Sequence, residues 1–96
     1  MPGLKVNQKD ALMSPEMEET ITDTIIIAKV KNGGDAVKMA AAIRKKLNEH
    51  FGGMWTVLVV NNKNCNGDWS FIGIQRQNGT FINVDHGAHT YVIFKS

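Results

Sequence analysis

The 96-residue sequence holds one cysteine, two prolines and only 7% aromatic residues. The lone thiol, Cys65, excludes an internal disulfide and fits a reducing compartment. No apolar run approaches the roughly 20 residues that a membrane-spanning helix needs. Charge of one sign is also missing: eleven basic residues are interleaved with nine acidic ones for a net +2, so no overall field points to nucleic acid or a membrane surface as partner. The opening MPGLKVNQKD lacks the apolar centre of a secretory signal, and a cytosolic protein is expected. Internal repeats and low-complexity segments are absent as well. What remains is a chain of one domain, residues 1–96, with 43% apolar content. A domain this small hides only roughly 60 to 65% of its unfolded surface, so an associated partner would help to cover it.

Two helices are signalled by their ends. Ser14 is followed by Pro15, Glu16, Glu18 and Glu19: a hydroxyl cap, a proline where no amide donor is needed, and acids at the positive end of the dipole. Met17, Ile21, Ile25 and Ala28 then recur at helical spacing as one buried stripe. The sequence NGG at residues 32–34 closes this helix, and Asp35 caps the next, which runs to about His50. Its narrow apolar face is Ala36, Ala40, Ile43 and Leu47, with Arg44, Lys45, Lys46 and Glu49 outside it. The small alanines allow another element to come close.

After Gly52 and Gly53 the period changes from 3.6 to 2. In MWTVLVV, Trp55, Val57 and Val59 point one way while Met54, Leu58 and Val60 point the other, so this strand wants cover on both faces. WSFIGIQ, TFINV and HTYVIF follow as strands, separated by Asn78-Gly79 and by DHGA, and a short LKVNQ strand precedes the first helix. The layout β-α-α-β-β-β-β predicts an α+β fold with two helices packed on an antiparallel sheet. Asn78-Gly79 between two apolar runs is also a local signal for a hairpin pairing residues 71–76 with 81–86.

The segments MSPEME, AAAIRKKLNEHFGGMWTVLV and the terminal FKS resemble the small hub-type dynein light chains. The resemblance covers about residues 11–60 and resumes loosely to Ser96; the tryptophan-containing junction is its most specific part. It implies a noncatalytic homodimer, or a heterodimer with a related light chain, in which each subunit lends one strand to the other's sheet. Partner peptides would then dock as an added strand in two grooves at the interface. The implied partner is dynein intermediate chain, and the implied setting is a microtubule motor complex in the cytoplasm or in a ciliary axoneme. A general hub that binds short linear motifs of other proteins is the alternative. Counting back from the C-terminus, the lent strand matches Trp69, Ser70, Phe71, Ile72, Gly73, Ile74, Gln75 and Arg76, which would border a peptide together with Ala36 and Val37. The resemblance places Thr56, Leu58, Phe71, Ile72 and Ile74 at the dimer interface. A strand edge left open in a groove suits this role, because main-chain hydrogen bonds supply affinity and alternate pockets supply selectivity. Taken without the resemblance, the same segment reads as an ordinary edge strand.

The sequence departs from the family's pattern in several places. An acid and a lysine that grip a polar residue of the bound motif are replaced by Ala36 and Val37, with Asp35 and Lys38 flanking them. Thr56 stands where the family has a histidine, and threonine cannot titrate near neutrality. NNKNCNGD is about seven residues longer than the family's connection, and Asn83 and Asp85 replace aromatics, so a more polar groove is expected. These differences suit a specialised member with a fixed partner.

Other constellations have plainer readings. Asp85, His86 and His89 lie around a turn without a recognised zinc spacing, so neither a metal nor a cofactor is expected. Cys65 with a histidine would make a nucleophile and base, the basis for an alternative reading as a small enzyme using His86, His89 or Cys65, yet the cysteine lies in a polar loop without an evident oxyanion site. The basic run Arg44, Lys45 and Lys46 reads as a solvated helix face, and NGT at 78–80 as a turn.

Overall fold

The structure, a computed structural model, describes residues 4–61, 77 and 79–95. In chain order it contains β1 (Lys5–Lys9), α1 (Pro15–Asn32), α2 (Ala36–Phe51), β2 (Trp55–Asn61), β3 (Ile82–His86) and β4 (His89–Lys95). Among the described residues, no helix is long and apolar enough to cross a membrane.

Helix α1 begins and ends as its sequence predicts. The Ser14 hydroxyl accepts a hydrogen bond from the Met17 amide at 3.1 Å, and Gly33, at φ 61°, donates its amide to the Lys29 carbonyl. Ile21, Thr24, Ile25 and Ala28 are buried, and Met17 packs against them half-buried. The helix is apolar beyond that stripe, because Ile27 and Val30 sit exposed on its outer side.

Asp35 caps α2 by accepting from the Lys38 amide at 3.1 Å. The buried row of α2 is Met39, Ile43 and Leu47, spaced four residues apart. This corrects the expected face: Ile43 and Leu47 belong to it, but Met39 takes the place of Ala36 and Ala40. A long, adaptable thioether fills the space above the sheet, while the alanines lie one row aside, half-buried. At the far end the Trp55 amide donates to the Asn48 side-chain oxygen at 3.1 Å, and the indole N–H donates to the Gly52 carbonyl at 3.2 Å. These two bonds fix how β2 leaves the helix.

The four strands are antiparallel in the order β1-β3-β4-β2. One face carries Ile82, Val84, Tyr91, Ile93 and Trp55 onto the buried rows of both helices, with Val57 and Val59 partly buried against the same core. Along β2 the expected alternation holds: Leu58 and Met54 are exposed. Both edges of β3 are occupied, by β1 on one side and β4 on the other, so β3 has no edge to offer a hairpin partner despite the Asn78-Gly79 signal. Among the described residues, β2 pairs with β4 on one edge and with no strand on the other.

Candidate functional site

The outer edge of β2 lies beside α2, and the two elements enclose a cavity of about 500 Å³. Small side chains make it. Ala36, Ala40 and Ala41 form the helix wall, where larger residues would close the gap against Trp55, Thr56, Val57, Leu58 and Val59 of β2. Val37, 80% exposed, stands at the same helix's first turn and completes the apolar lining. Trp55 is buried, with its ring centroid 5.6 Å from that of Phe51, so one end of the groove rests on a rigid aromatic pair. Arg44 contributes the remaining wall and is the one charged residue in the lining among the described residues.

Such a groove has the parts that hold an extended chain. A strand's outer edge presents main-chain amides and carbonyls, and the apolar helix wall offers room for side chains that alternate along the guest.

Ala36 and Val37, two of the residues singled out in the sequence, line this groove. Asp35 uses its carboxylate on the α2 cap, and neither it nor Lys38 is among the lining residues. Thr56 and Leu58 also touch the cavity, and their partners across β4 are Phe94 and Val92 on the face turned away from the helices. Leu58 is 46% exposed there. Trp69, Ser70, Phe71, Ile72, Gly73, Ile74, Gln75 and Arg76, named as the lent strand, lie outside the described residues, as does Cys65.

Asn83 and Asp85 do not make the groove polar. They sit on β3, separated from β2 by the whole width of β4, on the face away from the helices. Asp85 accepts from the Thr90 hydroxyl at 2.7 Å, and Asn83 accepts from the Asn7 side-chain amide at 3.5 Å. The sequence places these residues on a strand correctly but does not reveal which strand neighbours which.

His86 and His89 face each other across the turn between β3 and β4. The Nδ1 atom of each is buried without a hydrogen-bond partner among the described residues. Burial, and secondarily the Lys29 ammonium, lowers the His86 pKa below 6.5. No cluster of three or more metal-ligating side chains occurs among the described residues.

Sequence reading missed Arg44 as a groove residue, since it groups with Lys45 and Lys46 as a solvated run. The available signal was its position four residues after Ala40 and three after Ala41, the small residues that open the cavity.

No protein-family model and no curated protein matches the sequence. Solved structures do match in shape. The dynein light chain-like domain of the calcium-binding protein FhCaBP2 of Fasciola hepatica superposes with a TM-score of 0.78 at 13% identity, covering 99% of this chain and 92% of that one. A mercury derivative of the same domain gives 0.73 at 14% identity, over 97% and 91% of the two chains. The dynein light chain-like domain of CsTAL3 gives 0.67 at 18% identity, over 100% and 95%. The chain therefore has the dynein light chain-like fold, across nearly its full length, in a sequence far diverged from these neighbours.

Proposed function

We propose that this protein is a noncatalytic, dimeric adaptor of the light-chain type, which holds an extended segment of dynein intermediate chain by strand addition and so supports assembly of a microtubule motor complex. The observation that carries this reading is the outer edge of β2, unpaired among the described residues, beside a cavity that the alanines of α2 keep open. In this scheme residues 69–76 of one subunit extend the other's sheet at β2, and the guest segment adds next to them under α2. Two grooves in one dimer hold two guest chains side by side. The second contact is then intramolecular, and avidity rises without new chemistry. The apolar pair Ala36 and Val37 at the head of the groove favours a dedicated partner over a general motif-binding hub.

The test is an array of overlapping dynein intermediate chain peptides probed with the full chain, alongside sedimentation at micromolar concentration. A discrete stretch should bind wild type and lose binding to Ala41→Trp, which fills the groove from an exposed helix position and leaves the circular dichroism unchanged. Sedimentation should report about twice the chain mass, as an intersubunit sheet of standard size predicts. A monomer that binds no stretch of the array refutes the proposal.

A further inference from the structure

Among the described residues, the groove's one charge is unanswered. Arg44 is exposed and makes no ion pair or hydrogen bond among the described residues, where the ion pair found is Lys9 with Glu18. Its own helix cannot neutralise it. The positions three and four residues away are Ala40, Ala41, Leu47 and Asn48, none of them acidic. A guanidinium held on an apolar wall offers a planar fork of donors that matches a carboxylate in two parallel hydrogen bonds.

Position along the groove is set as well. The Trp55 amide bonds to Asn48, one helical turn beyond Arg44, so Arg44 stands at the Trp55 end and Ala36 toward the Val59 end. From Ala36 to Arg44 the helix advances about 12 Å at 1.5 Å per residue. From Trp55 to Val59 the strand advances about 13 Å at 3.3 Å per residue. The helix wall is thus long enough for about four residues of extended chain lying along α2 beside the lent strand. Apolar side chains suit the alanine wall, and a carboxylate suits the Arg44 end.

We infer that the groove takes a segment of a partner protein bearing one Asp or Glu side chain seated against Arg44, with apolar side chains over Ala36 and Ala40. The inference rests on the strand-addition reading above and adds the chemistry of the guest. The lent strand itself, residues 69–76, WSFIGIQR, contains no carboxylate and ends in arginine.

A phage-displayed library of random nonapeptides, selected on the full wild-type chain and on Arg44→Gln, tests it. Wild type should enrich sequences with one acid at a constant distance from an apolar pair, and Arg44→Gln should lose that preference while still enriching apolar extended peptides. The best wild-type peptide should lose about tenfold in affinity when its acid becomes the corresponding amide, a loss that added salt also produces. Enrichment of peptides without an acid, of peptides resembling WSFIGIQR, or of the same acidic peptides by Arg44→Gln overturns the inference but leaves strand addition standing. No enrichment on wild type overturns both.

Discussion

Asp10 and Phe81 exchange two hydrogen bonds: the Asp10 amide donates to the Phe81 carbonyl at 2.9 Å, and the Phe81 amide donates to the Asp10 carboxylate at 3.2 Å. The same carboxylate oxygen accepts from the Gly79 amide at 3.2 Å. One side chain thereby ties the exit of β1 to the entry of β3, 71 residues later. Bonds to a charged group of this kind are worth about 1.5 to 3 kcal/mol. Asp10→Ala should lower the urea-unfolding free energy by about 2 kcal/mol, and Asp10→Asn by less, because the amide oxygen still accepts. Equal stability of all three proteins would show that the carboxylate contributes nothing.

The buried row of α2 sets a second expectation. Ile43 is fully buried against the sheet, whereas Val30 on α1 is 80% exposed. Ile43→Ala leaves a cavity and should cost about 2 to 5 kcal/mol. Val30→Ala removes an exposed β-branched residue from a helix and should change stability by less than about 0.5 kcal/mol. Chemical denaturation of the two variants separates them, and a large loss from Val30→Ala would mean that its face is covered in solution.

Acid should weaken the fold through His86, which is 8% exposed. Burial and then Lys29 hold its folded pKa below 6.5, so on acidification the unfolded chain takes up this proton first. The stability due to its neutral form is complete above pH 6.5 and is lost as pH falls toward the lower folded value. The urea midpoint of wild type should drop between pH 7.5 and 5.5, and His86→Gln should drop less. Parallel curves for the two proteins would assign the acid sensitivity elsewhere.

The head of the groove predicts partner discrimination. Ala36 and Val37 offer no charged hydrogen bond to a glutamine-centred peptide of the kind the hub-type light chains bind, which should weaken that binding by about 1 to 3 kcal/mol. The double replacement Ala36→Glu with Val37→Lys should recover part of the affinity in fluorescence anisotropy. Tight binding by the unmodified protein would contradict the placement of these two residues.

Much of the architecture is legible in the sequence because local chemistry writes it. Ser14, Pro15, Gly33 and Asp35 mark the helices through bonds made within four residues, and the alternation from Trp55 to Val59 marks the face of β2. Strand adjacency is not local. Asn78-Gly79 speaks for a hairpin on β3, yet β1 and β4 already occupy both of its edges, and no turn residue carries that information. The groove was half legible for the same reason: alanines at 36 and 40 announce a close approach, but only the position of β2 shows that, among the described residues, a cavity remains there and that Arg44 belongs to its wall.

The sheet order also bears on how the chain is made. Of the described strands, the two central ones, β3 and β4, are synthesised after β1 and β2, which lie at the edges of the described sheet and find their only described partners there. Until residues 82–95 leave the ribosome, Trp55, Val57 and Val59 lack β4, their described neighbour, and the buried rows of both helices lack Ile82, Val84, Tyr91 and Ile93 beneath them. Such long-range closure folds late and exposes apolar surface meanwhile. Nascent chains stalled before residue 82 should therefore be sensitive to protease and bound by chaperones, and release of the next fourteen residues should convert them to a compact state.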